Sequence, residues 1–381
     1  MIPFHRPSIG EEEIAEVVDT LRSGWLSTGP KVKRFEQLFG DYVSARYAMA
    51  ASSGTAALQL ALEAIGLARG DEVIIPTYTF TATGEAVASF GARPVLADCR
   101  PDTLNIDAST IEPLITPRTK AIIPVHIAGQ ACDMDPILAL AGQRGLRVVE
   151  DAAHAIPTTY KGRRVGSIGD LTAFSFYASK SITTGEGGMV TTEHEDLAAR
   201  IKRMSLHGLS SDAWSRESDQ GTRSYEVLDF GFKSNLTDLA AAIGIHQVHK
   251  ADQMWRRRCE IAASYTKAFA DLDTCTPPRE MPYGTHAWHL YIVEVNLPAL
   301  AHGRDEVIRR LRARGVGTSV HFPPLHLHRA YRRLLGDPGA LPVAEQIFAR
   351  ALSLPIYPRM TDTDVADVIQ AVRDTLEEIR R

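Results

Sequence analysis

The order of apolar runs and helical patterns predicts an α/β protein: a large, mostly parallel sheet covered by helices, followed by a smaller α+β unit. Three observations predict it. Between residues 54 and 192 short apolar runs alternate with helical patterns. Those runs are apolar at consecutive positions, as in strands buried on both faces. After about residue 250 the texture changes to a charged helix–strand–helix–strand–helix series.

The elements follow in order. AALQLALEAIG (56–66) places Leu58, Leu62 and Ile65 at helical spacing. EVIIP (72–76), set off by Gly70-Asp71 and Pro76, is a strand. A helix at 81–90 leads to the strand PVLAD (94–98), and AIIPV (121–125) is the next strand. A helix over 134–144 precedes LRVVED (146–151), and TAFSF (172–176) and GMVTT (188–192) close the series. The polar, Gly/Ser-rich stretch 208–228 reads as a surface loop or flap. Beyond it come a long charged helix at about 247–272, the strand HLYIVEV (289–295) and the helix DEVIRRLRARG (305–315). GTSVHF (317–322) reads as a strand and 362–380 as an amphipathic helix. The chain therefore divides into a large domain, residues 1–250, and a small domain, residues 251–381. No internal repeat or low-complexity tract is visible.

A length of 381 residues allows two or three domains and several layers of core. With 44% hydrophobic and 23% charged residues the balance is that of an ordinary globular protein. Lys+Arg 42 against Asp+Glu 46 leaves a net charge of −4, so no bulk attraction to nucleic acid or to an anionic membrane is expected. The opening MIPFHRPSIGEEEIAEVV has no basic start followed by an apolar run, and no stretch is long and apolar enough to span a membrane. Cys99, Cys132, Cys259 and Cys275 are far apart and form no CxxC pair. Free thiols in a reducing cytoplasm are expected rather than structural zinc or a disulfide framework.

Four groups of residues stand where a sheet of this kind binds ligands, beyond the C-terminal ends of its strands. Ser52-Ser53-Gly54-Thr55 enters a helix and leaves N–H groups for an anion, or caps the helix and no more. Glu150-Asp151 ends LRVVED and could hold a metal, orient a histidine or pair with a cationic ring nitrogen; His154 follows, as a site residue or as a buried histidine bonded to backbone. Lys180 comes after an apolar strand and before Gly185-Glu186-Gly187-Gly188. It is a loop lysine on the surface, or an amine whose pKa is lowered by burial so that it forms a Schiff base. Ser175 and Ser179 flank it as phosphate donors. No GxxxxGK[ST] is present, so a P-loop is excluded. A phosphate cradle, a carboxylate for a pyridinium nitrogen and a Schiff-base lysine on successive strand ends together describe a pyridoxal 5'-phosphate (PLP) site.

With these motifs in hand the chain resembles the DegT/DnrJ/EryC1/StrS family of nucleotide-sugar aminotransferases. The likeness runs through FHRPSIGEEEI, GWLSTGPKVKRFE, SSGTAAL, IIPTYTFTAT, EDAAHA, FSFYASKSITTGEGGMV, FKSNLTDLAAAIG and GVGTSVHF. It implies PLP-dependent transferase fold type I, aspartate-aminotransferase-like, with an N-terminal arm and a PLP-binding large domain. By that resemblance Lys180 is the Schiff-base lysine, Asp151 pairs with the pyridine nitrogen, His154 contacts the ring near its hydroxyl and Phe80 stacks on the ring face. Gly54, Thr55 and Ser175 contact the phosphate. Asn235, in KSNLTD, reaches the phosphate from a neighbouring subunit, which implies a homodimer with shared active sites. Trp25, Leu26, Ser27 and Thr28, with His321 and Phe322, resemble segments that line the sugar pocket.

The resemblance further implies transfer of an amino group from L-glutamate to a nucleotide-diphosphate keto sugar, most similar to the C4 enzymes acting on a UDP-4-keto-pentose. A PLP-dependent sugar dehydratase or a non-catalytic, PLP-binding regulator is the alternative. Some members replace the lysine with histidine and become dehydratases; Lys180 is retained here. His321, His326 and His328 lack the carboxylate or cysteine spacing of a metal site, and read otherwise as solvated histidines on a Pro-rich bend. Arg163, Arg164, Arg223 and Lys233 either meet the sugar diphosphate or are solvated surface.

Overall fold

A computed structural model describes residues 1–210 and 225–381; Arg223 and most of the predicted 208–228 loop lie outside them. Six predicted apolar runs form strands of one seven-stranded sheet, whose seventh strand, Tyr47–Ala51, lies outside the predicted runs. Its order is β1 (Tyr47–Ala51), β9 (Gly188–Thr192), β8 (Leu171–Ser175), β5 (Arg147–Asp151), β4 (Thr119–Ile122), β2 (Glu72–Pro76), β3 (Arg93–Ala97). Neighbours from β8 through to β3 are parallel, whereas β9 is antiparallel to both β8 and β1. The sheet is thus mixed and mostly parallel.

Helices cover both faces, and the strands show why their residues had to be apolar throughout. Every residue of β2, β8 and β9 is buried. Successive residues of β8 enter different layers: Ala173 joins the core with Leu58, Leu62 and Val149, and Phe174 joins Phe35, Phe39 and Phe176. The first layer lies under α3 (Gly54–Ala64), α4 (Thr81–Ala88) and α7 (Glu195–Met204). The second holds α1 (Glu11–Ser23) and α2 (Pro30–Val43) beside a long helix, α8 (Asp238–Phe269). In it the Phe39 ring meets Phe174 and Phe176 edge-on at 4.9 and 5.2 Å, each aromatic contributing about 1.5–3 kcal/mol of burial. The short α5 (Ala108–Ile111) and α6 (Met134–Arg144) close a further apolar cluster with Ile106 and Ile137.

Helix α8 begins nine residues before the predicted 247, since its first turns, DLAAAIGIH, are apolar rather than charged. Thr237 caps it, its hydroxyl accepting from the Ala240 N–H. Asp238 in turn accepts from the N–H groups of Gly29, Lys31 and Val32 and so caps α2. The proposed division at residue 250 falls inside this helix. Ala241 to Met254 belong to the aromatic layer, and Ile261 to Phe269 belong to the core of the C-terminal part.

That C-terminal core is a three-stranded antiparallel sheet, β10 (Cys275–Thr276), β12 (Tyr291–Val295) and β13 (Ala351–Leu354), packed against α9 (Arg304–Ala313) and α12 (Asp362–Glu378). Also present are α10 (Arg329–Leu335), α11 (Pro342–Arg350) and a small antiparallel sheet of β6 (Thr159–Tyr160), β7 (Arg163–Arg164) and β11 (Gly284–Thr285). One prediction is corrected: GTSVHF is not a strand. Val316 bridges Ile2 of the N-terminal arm while Ser319 bridges Ser353 of β13, so the segment is shared between two partners and pairs continuously with neither.

Candidate active site

A cavity of about 410 Å³ opens at the C-terminal ends of β2, β5 and β8, where parallel α/β sheets bind ligands. Gly54, Thr55, Phe80, Asp151, His154, Ser175, Lys180, His321 and Phe322 all line it, as does Ser179. The structure therefore joins residues up to 268 positions apart in the chain.

The anion end of the cavity is set by close packing. The Ser53 hydroxyl accepts from the Ala56 N–H at 3.0 Å and caps α3, whose first residues are Gly54 and Thr55. Ser53 is thus both a cap and part of the wall. A Cβ on Gly54 would stand 2.7 Å from the Ser175 Cβ, so only glycine lets the helix N-terminus come up against Ser175 at the end of β8. On the other side a Cβ on Gly188 would lie 2.3 Å from the Ser53 carbonyl oxygen. Free N–H groups, the positive end of a helix dipole and a hydroxyl then face one spot, a fit for a phosphate.

Asp151 ends β5 and is buried. Its carboxylate accepts from the Thr83 hydroxyl at 2.8 Å and the Ala153 N–H at 3.1 Å, which fixes its direction. Burial raises its pKa, and the hydrogen bonds and the Lys180 charge oppose that rise. Lys180 is held in a turn by its N–H to the Tyr177 carbonyl at 2.8 Å. Burial lowers its amine to about 8, with Asp151 opposing. A surface lysine stays charged; this one is about a tenth neutral at pH 7 and mostly neutral at pH 9. Because the neutral amine is the nucleophile, PLP is expected to load onto the apoprotein faster as pH rises through about 8, then level off. Stopped-flow absorbance over pH 6–10 checks this, and a rate still climbing toward the pKa of an ordinary lysine (roughly 10.4) would contradict it.

His154 is buried and accepts the Ala128 N–H on Nδ1 at 3.3 Å, so the backbone contact and the cavity position hold together. Its ring stacks on Phe322 at 5.8 Å and 19°, and burial, then Lys180, keeps its pKa well below the usual histidine range. Phe80, 57% exposed, stands before α4 with its ring 5.8 Å from Phe322, a face open to a planar ring. His321 bonds the Ser353 hydroxyl through Nδ1 at 2.8 Å and is held at about 4 by burial.

Other candidates lie elsewhere. Trp25, Thr28 and Asn235 do not line this cavity. They stand together: the Trp25 indole donates to the Thr28 carbonyl at 3.1 Å and the Asn235 amide to the Thr28 hydroxyl at 2.6 Å. Leu26 and Ser27 share that segment, where the Asp238 N–H meets the Ser27 carbonyl. The Lys233 amine bonds the Asn235 side chain at 2.5 Å, and the Ser52 N–H bonds the Ser234 carbonyl. Arg164 pairs with Asp252 at 3.2 Å over the Tyr42 ring, and Arg163 donates to the Ser167 carbonyl, both away from the cavity. His326 is corrected: it is 6% exposed, bonded to Thr77 at 2.8 Å and to Glu345 at 3.1 Å, so it braces the bend rather than being solvated. His328 is exposed. Among the described residues no group of three or more His, Cys, Asp or Glu is arranged to hold a metal ion.

The reading of single motifs missed Phe4, His5, Thr83 and His289, which also line the cavity. His5 reaches it because the N-terminal arm pairs with residues 315–317 and its Nε2 donates to the Ala178 carbonyl at 3.1 Å. Only long-range pairing puts it there, and nothing local signals it. His289 had a local signal, a polar residue at the mouth of the apolar run LYIVEV.

A buried carboxylate, a lysine of lowered pKa and a glycine-shaped anion cradle on three strand ends fit PLP and define a PLP-dependent enzyme of fold type I. The model of the DegT/DnrJ/EryC1/StrS aminotransferase family matches residues 7–373, and the chain belongs to that family. It is 51% identical over 378 residues to the spore coat polysaccharide biosynthesis protein SpsC of Bacillus subtilis, covering 99% of this chain and 97% of SpsC. Among solved structures it is similar to Spr1654 of Streptococcus pneumoniae in its PMP form, at 35% identity and a TM-score of 0.93 over 99% of this chain and 100% of that one. It is also similar to PseC of Helicobacter pylori, an aminotransferase involved in the biosynthesis of pseudoaminic acid, at 27% identity and a TM-score of 0.93, over 99% of this chain and 100% of that one. The protein is thus a PLP-dependent aminotransferase of the sugar-aminotransferase group. Among the described residues no helix is long and apolar enough to cross a membrane.

Proposed function

We propose that the chain transfers the amino group of L-glutamate to the keto carbon of a nucleotide-linked keto sugar, at C4 of a 4-keto-pentose or a 4-keto-6-deoxyhexose. The observation that carries the reading is Lys180, an amine brought to about 8 by burial in a cavity that also holds Asp151. When bound, PLP supplies an aldehyde for an amine and a ring that accepts electrons. Asp151, as carboxylate, holds a proton at the ring nitrogen. Once released from the cofactor, Lys180 takes the proton from the donor's α-carbon and, in the second half, returns one to the sugar carbon; a base with a pKa near working pH suits both transfers. Phe80 and Phe322 give the ring an apolar face, and the neutral His154 and His321 add no competing charge. The sugar-pathway roles of SpsC and PseC support a sugar acceptor.

We also place Trp25, Thr28 and Asn235 in the active site of a second copy, which makes the working unit a homodimer; their cluster outside this cavity supports that placement. Sedimentation at micromolar concentration is expected to give twice the chain mass, and a monomer that is fully active would overturn it. Four unpaired cysteines support a cytoplasmic site of action, and recovery of the native protein from a membrane or secreted fraction would contradict it. The substrate reading is tested with a panel of nucleotide 4-keto sugars and L-glutamate. One member is expected to give stoichiometric 2-oxoglutarate and an amino sugar by mass. Formation of 2-oxoglutarate with none of the sugars, or loss of a sugar hydroxyl without amination, would overturn it.

A further inference from the structure

Most buried or cavity histidines of the described chain have a protein partner for the ring. His5 bonds a carbonyl, His126 bonds Glu150 and the Cys132 N–H, and His154 takes the Ala128 N–H. His286 takes the Trp288 N–H, His321 bonds Ser353 and His326 bonds Thr77 and Glu345. His289 is the exception. It is 7% exposed, it lines the cavity, and its Nδ1 is buried without a hydrogen-bond partner. No hydrogen bond from either ring nitrogen to a described residue is present.

The ring is nonetheless held firmly. Its centroid lies 4.4 Å from that of His154, the planes 32° apart. Its own carbonyl takes the guanidinium of the buried Arg258 at 3.4 Å, and the next N–H, of Leu290, donates to the Ala128 carbonyl at 3.2 Å. Ala128 therefore anchors both histidines, through its N–H and its carbonyl. Burial, with the Lys180 and Arg258 charges in addition, pushes the imidazole well below the usual histidine range and keeps it neutral. A neutral imidazole has one donor and one acceptor, and leaving them unpaired in a closed wall carries a desolvation cost that a ligand can remove.

We propose that His289 is a binding residue whose imidazole makes its missing hydrogen bond to an oxygen of the bound molecule, a hydroxyl of the sugar or the ring hydroxyl of the cofactor. It acts beside His154, against whose ring it lies tilted, and selects ligands that present an oxygen at that wall. The inference rests on the cavity being the PLP and sugar site; borohydride labelling of Lys180, repeated on each variant, reports on that reading separately.

Two substitutions separate binding from packing. His289→Phe keeps a flat ring against His154 and removes both nitrogens, whereas His289→Gln restores a donor and an acceptor without the ring. With the Phe variant, the Kd for PLP or the KM for the sugar acceptor is expected to rise about tenfold, with the KM for L-glutamate unchanged. The Gln variant is expected to recover most of that loss. A rise in the Kd for PLP with a shifted absorbance band assigns the cofactor's oxygen; a rise in sugar KM alone assigns a sugar hydroxyl. If the Phe variant fails to fold, His289→Met serves the same comparison. Changes below twofold in both constants, or a Gln variant as poor as the Phe variant, would overturn the proposal.

Discussion

Lys180→Ala is expected to lower transaminase turnover by about 10³-fold or more and to abolish the visible absorbance that PLP acquires on a lysine. The size follows from one amine doing two tasks. In the proposed mechanism it is both the covalent anchor of the cofactor and the base that moves the proton at the reacting carbon. None of the four histidines on the cavity wall is suited to take over the second task. His154 and His289 are pushed well below the usual histidine range by burial, and His5 and His321 are brought to about 4. All four are poor bases near neutral pH. The substitution leaves the fold in place, because the lysine is held by its backbone turn to Tyr177 and its burial opposes the charge it carries. Thermal unfolding is thus expected at or above the wild-type Tm. Retention of full activity, or a collapse of the fold, would contradict the assignment.

Asp151→Asn has the second largest expected effect, a loss of about 10²–10⁴-fold in kcat. The amide preserves the shape of the group: its single oxygen can keep the Ala153 N–H, and its NH2 can donate to the Thr83 hydroxyl in place of the bond the carboxylate accepts there. It cannot hold a proton on the ring nitrogen, so the ring loses its capacity to accept electrons while the cofactor still binds through Lys180 and the anion cradle. The distinguishing result is therefore a normal stoichiometry of bound PLP with a slow reaction. Because burial raises the pKa of Asp151, a neutral amide is not expected to destabilise the apoprotein. A variant that binds PLP and turns over at the wild-type rate would show that another group serves the ring nitrogen.

How much of this is legible in the sequence differs by element. EVIIP and GMVTT declare themselves as strands because helices cover both their faces, leaving every side chain buried. β1, YAMAA, lacks any β-branched residue and shows little of this signal, although it holds the edge of the sheet beside β9. β13, ALSL, follows directly on a helix with no turn residue between them, so neither its start nor its pairing with β12 is local information. The failed strand at GTSVHF has the opposite cause. Its pattern is right for a strand, and its two partners, the N-terminal arm and β13, divide it.

The site is legible where chemistry is unusual for its position. Lys180 stands out because an ammonium beside a buried strand is costly, and Asp151 because it ends one. His5 and Phe4 are invisible, because 173 residues separate His5 from the carbonyl that it meets. Arg164 is a cation near the middle of the sequence that the sequence alone cannot tell from a diphosphate ligand; the structure spends it on Asp252 and Tyr42.

The central claim is that one amine in this cavity carries the cofactor. Borohydride reduction of the PLP-loaded protein, followed by proteolysis and mass spectrometry, tests it most directly. The account predicts one pyridoxyl group per chain, on the peptide holding Lys180, and none once L-glutamate has first been added in excess. A label on another lysine, or no label at all from a protein that remains active, would contradict it.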